Sequence, residues 1–163
     1  MTIYTLEEMY VDAANFLNIG SSVEPYMLIY NTLYQFGLRF SEASRPNLWT
    51  FNGDNTITIP VLKGQPPRLL TVNDFWYQWL FLLYDCHHVE KWSNESTASR
   101  VFIKYYPKKL YLSSGKSLTT HFFRHLYVKT RYSWGWTTRQ ISADLGEQND
   151  NNTAGYGNST IVY

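Results

Sequence analysis

The sequence holds little that would tie it together covalently or place it in a membrane. Cys86 is its one cysteine, so no internal disulfide can form and a reducing compartment is the expected setting. Long hydrophobic runs are missing as well. The most apolar stretch, Trp76 to Tyr84 (WYQWLFLLY), is too short to cross a bilayer core. The opening residues, MTIYTLEEMY, lack the basic start and apolar run of a secretory signal. An intracellular protein is expected, cytoplasmic or nucleoid-associated, with no membrane partner. A strong excess of one charge is also absent, since the net charge is +1. Internal repeats and a linker long enough to separate domains are missing too, so 163 residues with 44% hydrophobic content read as one domain with one core, 1–163.

What the chain does have is aromatic residues and an uneven spread of charge. Aromatics make up 18% of the sequence, so the core should be built largely from rings. Between Ser96 and Ala143 there is no acidic residue, yet nine of the fourteen Lys and Arg lie there. The first 95 residues hold ten of the thirteen acids. A basic half interleaved with aromatics suits a phosphate backbone, because each cation set near a phosphate releases counterions. The cations offered for such contacts are Lys104, Lys108, Lys109, Lys116, Lys129, Arg131 and Arg139. A solvated basic face is the plainer alternative.

Along the chain, Thr5-Leu6-Glu7-Glu8 starts a helix with a capping-box pattern, and helical spacing continues to Leu17. A second helix is expected over Val23–Phe36, ending at Gly37, and a short helical turn follows over Ser41-Glu42-Ala43. The period then changes. Leu48–Phe51, the turn Asn52-Gly53-Asp54-Asn55 and the alternating Thr56–Ile59 read as a hairpin. A turn at Lys63-Gly64-Gln65-Pro66-Pro67 leads to a third strand over Arg68–Val72. A helix capped by Asn73 or Asp74 carries the Trp/Leu/Phe run, and further helical patterns lie at about 98–106, 119–133 and 137–145. A short helix around Tyr156 and a small strand within Ser159–Tyr163 close the chain. The fold class expected is α+β, mostly helical, with a small three-stranded antiparallel sheet.

His121-Phe-Phe-Arg124-His125 is weak evidence alone. Twenty-three residues after Arg124, however, stands Glu147 in Leu145-Gly146-Glu147, and nine residues later comes Tyr156. Upstream lie Gly37-Leu38-Arg39-Phe40-Ser41-Glu42-Ala43 and Lys63 in its turn. In this order and spacing the chain resembles the catalytic domain of tyrosine recombinases, the phage-integrase type. That family is marked by G-L-R-x-S-E, a lysine in a β-turn, H-x-x-R-H, L-G-H and a downstream tyrosine. The resemblance runs from the first helix to Tyr156.

The resemblance implies DNA cleavage and rejoining through a 3′-phosphotyrosyl intermediate, with double-stranded DNA as partner and no metal or other cofactor. Arg39, Lys63, His121, Arg124, Glu147 and Tyr156 would be the catalytic residues, and Glu42 and His125 would orient the arginines. Physical chemistry favours these residue types. A phosphate approaching a pentacoordinate state gathers charge on its non-bridging oxygens, and two guanidiniums can hold those oxygens with forked hydrogen bonds. A tyrosine hydroxyl needs cations or a base to become a useful nucleophile, which His121 could supply. The leaving 5′-hydroxyl needs an acid, and Lys63 on a hairpin tip could reach it. Arg39 could instead cap the helix before it, and Lys63 could be a solvated turn residue. Cys86-His87-His88 does not read as a metal site, because adjacent histidines on a helix face different ways.

Glu147 departs from the family, which usually has His or Trp there. A carboxylate would repel a phosphate, so Glu147 is expected to be protonated, to turn away, or to leave the role to Gln148 or Asn149. The chain is also expected to lack the N-terminal clamping domain, with only Thr160–Tyr163 expected to add as a strand to its own or a partner's sheet. Small size and family habit suggest a virus or another mobile element. A homo-oligomer on DNA and an accessory DNA-binding protein remain open as further partners. Two other functions stay open: a catalytically impaired DNA-binding accessory or regulator, and a structural or assembly protein on the same fold.

Overall fold

The computed structural model describes residues 1–19, 26–60, 67–87, 94–147 and 149–163, with the side chains of 27, 28 and 83–87 left out. The chain starts with α1 (Leu6–Leu17), where the Thr5 hydroxyl accepts from the Glu8 amide at 3.2 Å and the Glu8 carboxylate accepts from the Thr5 amide. This reciprocal pair satisfies donors that a helix start otherwise leaves open. Next come α2 (Tyr26–Phe36) and a single helical turn, α3 (Phe40–Ala43). The residues between them make the first sharp feature of the site. Gly37 has φ +65°, and a Cβ there would lie 2.7 Å from the Tyr127 ring. Only glycine fits that conformation and that approach together, so the chain can leave α2 abruptly and present Leu38 and Arg39.

The expected hairpin and third strand form one antiparallel sheet, β1 (Thr50–Phe51), β2 (Thr56–Ile59) and β3 (Arg68–Thr71). Register pairs Phe51 with Ile57, and Ile59 with Arg68. Gly53 and Asn55 take positive φ in the turn, as a tight hairpin requires. On β2 Ile57 and Ile59 are fully buried while Thr56 and Thr58, which alternate with them, are not, which is the period of two that a half-buried strand shows. Lys63 lies outside the described residues, as does Gln148. Asn73 caps α4 (Asp74–His87) by accepting from the Trp76 amide at 2.8 Å. Of Cys86-His87-His88, the first two have only their backbone described and the third lies outside.

Helix α5 (Glu95–Tyr105) begins three residues earlier than the periodicity suggests, because the Asn94 side chain caps it. After it comes an element the sequence pattern did not announce. β4 (Leu110–Leu112) and β5 (Ser117–Leu118) make a second hairpin, and the terminal β6 (Ile161–Val162) joins the other edge of β4. The end of the chain therefore adds to its own sheet, one of the two options open from the sequence. Residues 119–121, expected as helix, turn the chain into α6 (Phe122–Ser133). Helix α7 (Thr138–Leu145) ends at Gly146 with φ +71°, and α8 (Asp150–Asn158) follows.

The core is a cluster of rings. Phe16 lies 5.3 Å from Tyr30 and 5.4 Å from both Phe102 and Tyr106, while Phe102 stacks on Tyr106 at 4.5 Å. Phe122 and Phe123 close the cluster from α6, both fully buried. Burying each such ring stabilises the fold by roughly 2–3 kcal/mol. Their functional consequence is positional, since the next residues along the same helix are Arg124 and His125.

Candidate active site

Five elements converge on one buried cluster of charge. Arg124 points from α6 to the end of α2 and is 1% exposed. Its guanidinium donates to the Gly37 carbonyl at 2.8 Å and to Glu147 Oε1 at 3.0 Å, and lies 3.8 Å from Glu42 Oε1. Arg39 begins α3. Its amide donates to Glu42 Oε1 at 2.8 Å, and its side chain donates to the same Glu147 Oε1 that Arg124 holds. The two arginines thus share one carboxylate oxygen. Arg39 keeps 30% of its side-chain surface open, whereas the Glu147 side chain is 1% exposed. One end of this cluster is therefore walled in, and the other reaches solvent through Arg39.

The Glu147 carboxylate lies against both guanidiniums. The carboxylate neither turns away nor hands the position to Asn149, whose side chain caps α8 by accepting from the Asn151 amide at 2.9 Å. It turns inward as the counterion of both guanidiniums. The physical reason is the cost of burying charge, since an unpaired guanidinium inside the protein loses several kcal/mol of hydration. The backbone enforces the geometry: with Gly146 left-handed, the Glu147 amide donates back to the Ser142 carbonyl at 2.8 Å, so the side chain starts at the floor of the site.

Tyr156 approaches from the other side on α8. The Arg124 guanidinium lies 5.6 Å from the centre of its ring, and His125 meets that ring edge-on at 4.9 Å. Helix α8 is held by one stripe of α6 with the spacing of a single helix face, His125, Lys129 and Tyr132. His125 Nδ1 bonds the Ser159 hydroxyl at 2.8 Å, and that hydroxyl donates to the Tyr156 carbonyl at 2.8 Å. Lys129 donates to the carbonyls of Gly157, at 3.1 Å, and Ser159. Tyr132 packs where any side chain at 157 would clash, since a Cβ on Gly157 would come within 2.2 Å of its ring. Burial pushes the His125 imidazole down to about 4, with the Lys129 cation acting the same way. His125 is therefore a neutral ring at ordinary pH and serves as a packed hydrogen-bonding group. His121 stands at the N-terminal edge of α6, its surface open to solvent. Its pKa is also lowered, first by the desolvation of its packed side and then by Arg124, Arg39 and Lys116, with Glu95 opposing.

No protein-family model matches the sequence, and no curated protein matches it. Solved structures do. XerA recombinase superposes with a TM-score of 0.68 at 19% identity, over 96% of this chain and 59% of that one. The XerH site-specific recombinase, in a pre-cleavage complex with its difH substrate, gives 0.65 at 16% identity over 92% and 48%. The Tn1549 transposon integrase, in complex with transposon right-end DNA, gives 0.58 at 16% identity over 90% and 59%. This chain has a tyrosine-recombinase-like fold. It spans between 48% and 59% of the length of these three structures.

Within this recombinase-like fold the expected basic contacts divide into two groups. Lys104, Lys109, Lys116 and Arg139 are exposed. Lys108, Lys129 and Arg131 are engaged inside the protein. Lys108 pairs with Asp12 at 2.9 Å and Glu8 at 3.2 Å while lying over the Tyr4 and Tyr163 rings. Lys129 closes the end of α8, and Arg131 stacks against Tyr127 and Trp134 at 3.9 and 4.4 Å. Glu42 lies behind both arginines, 3.8 Å from the Arg124 guanidinium and accepting from the Arg39 amide.

Arg68 is the participant the sequence reading passed over. It is 4% exposed, donates to the Phe36 carbonyl at 2.6 Å, and lies 3.9 Å from Asp144. Arg68 and Arg124 therefore grip consecutive carbonyls at the end of α2, which fixes the short segment leading to Arg39. The available signal was the strand period, which puts Arg68 on the same inward face as Leu70. Among the described residues no helix is long and apolar enough to cross a membrane.

Proposed function

We propose that this chain is the catalytic unit of a site-specific DNA recombinase or integrase, cleaving and rejoining strands through a 3′-phosphotyrosyl link to Tyr156. The observation that carries the reading is the convergence of Arg39 and Arg124 on a single carboxylate oxygen, with the Tyr156 ring 5.6 Å from the Arg124 guanidinium. A phosphodiester seated on that pair has its developing charge stabilised by preorganised cations. In the first step the Tyr156 oxygen forms a bond to phosphorus, its proton leaves to a base such as His121, and the bond to the 5′-oxygen breaks. That oxygen takes a proton from an acid, the role assigned by resemblance to Lys63. Rejoining reverses the step with a different 5′-hydroxyl, so the bond energy is kept in the covalent link. Glu42 and Arg68 hold the arginines and their supporting carbonyls, and His125 holds α8. Lys104, Lys109, Lys116 and Arg139 supply sequence-independent phosphate contacts. The Tn1549 integrase was solved with transposon right-end DNA and the XerH recombinase with its difH substrate, which supports duplex DNA as the partner here.

Glu147 favours a second reading on its own account. A carboxylate in the phosphate seat suits an accessory protein that binds duplex without cutting it. A trapping assay separates the two. The chain is incubated with nicked, partly randomised duplexes beside Tyr156→Phe and run on a denaturing gel. An adduct with the native chain that the variant lacks supports the recombinase. Duplex binding on native gels with no adduct supports the accessory protein.

A further inference from the structure

The buried cluster is balanced by its own residues. Arg39, Arg68 and Arg124 face Glu42, Asp144 and Glu147, with ion-pair distances from contact to 3.9 Å. These carboxylates do not play equal parts. Glu42 lies behind the arginines, 2% exposed, and accepts from the Arg39 backbone amide. Asp144 is tied to the Tyr127 hydroxyl and faces Arg68. Glu147 alone places one oxygen between the two guanidiniums that converge on it. A phosphate oxygen bound by Arg39 and Arg124 would occupy the same point.

We propose that the Glu147 carboxylate is the resident occupant of a phosphate seat, and that a phosphate group enters by displacing it from Arg39 and Arg124. The inference rests on the recombinase reading only for the identity of the natural ligand as a phosphodiester. Two guanidiniums cannot give their forked donors fully to a carboxylate and to a phosphate at once, so the two anions compete for them. Without a ligand, Glu147 spares the protein an unpaired pair of cations. With a ligand, it sets a threshold, and weak or misplaced phosphates fail to dislodge it. Arg39 is the side from which exchange begins, because it is the partly open member of the pair. The exchange also reaches the tyrosine. Glu147 Oε2 accepts from Asn152 at 3.4 Å, and Asn152 lies four residues before Tyr156 on α8, which puts the two on neighbouring positions of one helix face. Displacing the carboxylate releases this one tie to the helix that carries Tyr156.

The test uses the full chain with Tyr156→Phe throughout, so that no covalent chemistry intervenes, and inorganic phosphate as the probe. Affinity is measured by calorimetry at constant ionic strength, and melting temperature is followed in chloride and in phosphate. Glu147→Gln keeps the shape of the side chain and removes its charge. It should bind phosphate at least about tenfold more tightly than the parent, the scale expected for removing a competing charge-assisted contact. Glu147→Ala should melt lower in chloride and recover in phosphate by more than the parent gains. Adding Arg39→Ala to either variant should abolish both effects. Equal phosphate affinity in the parent and Glu147→Gln would overturn the proposal, as would gains that survive Arg39→Ala. If Glu147→Ala does not fold, Glu147→Gln alone decides. Exchange without a DNA adduct from the native chain would sink the recombinase reading and leave this one standing. An adduct from the native chain with no change in phosphate affinity on Glu147→Gln would do the reverse.

Discussion

Helix α6 joins two interiors of opposite kind within four consecutive residues. Phe122 and Phe123 are sealed in a cluster of rings, while Arg124 and His125, nearly as deeply buried, are held by hydrogen bonds and ion pairs. The ring cluster depends on volume, and several hydrophobic shapes can supply it. The polar cluster depends on donor geometry and charge balance, for which no replacement of similar size will serve. The first interior makes the second possible, because a rigid ring core lets a helix hold a buried guanidinium at a fixed point.

The contrast is sharpest at neighbouring positions. Arg124→Lys keeps the charge and loses the fork, so adduct formation should fall by about two to three orders of magnitude, while Arg124→Ala should also lower stability by about 3–5 kcal/mol by leaving Glu147 short of a partner. Phe123→Leu should cost less than about 1.5 kcal/mol and leave the adduct rate near native. Denaturant melts and the trapping gel read both. Equal tolerance at 123 and 124 would break the comparison.

Acid should expose the polar cluster before the ring core. The His125 pKa in the folded chain is about 4, below its ordinary 6.5, so below pH 6.5 the unfolded chain takes the proton first. Stability from this group is complete above that value and falls as pH drops toward 4, by about 2–3 kcal/mol at pH 4.5. Urea melts of the native chain and His125→Gln at pH 7 and 4.5 should show a smaller loss in the variant. Identical losses would contradict the neutral, buried histidine.

A smaller effect separates the hold on α8 from the chemistry. Lys129→Met removes the donors to the Gly157 and Ser159 carbonyls and should lower stability by about 1–2 kcal/mol. Adduct formation should slow while duplex affinity stays near native, because Lys129 is turned inward. The smallest effect belongs to the rim. Arg139→Ala should weaken duplex binding evenly across sequences and reduce the salt slope by about one. Lys108→Ala should leave that slope unchanged, given its pairing with Glu8 and Asp12.

The sequence was most readable where local rules decide the structure. The glycine that ends α2 and the TITI strand could be read directly, because each follows from spacing or from a backbone requirement, whereas the order of Arg39, Arg124 and Tyr156 was legible through the resemblance to tyrosine recombinases. Helix ends shifted where a side-chain cap, Asn94 or Thr137, decided the boundary. The second sheet was hidden because Leu110–Leu112 is too short to show a period and its partner Ile161–Val162 lies some fifty residues away. Arg68 and the inward turn of Glu147 were hidden for a different reason. Charge is read from a sequence as surface, and only the three-dimensional balance of three arginines against three carboxylates makes it interior.

The most direct measurement of the central claim is to digest a trapped protein–DNA adduct and find which peptide carries the nucleotide. The account predicts the modification on Tyr156 and on no other of the fourteen tyrosines, with the phosphate joined to the 3′ side of the cut. A nucleotide on any other residue, or a cut leaving phosphate on the 5′ side, would contradict it.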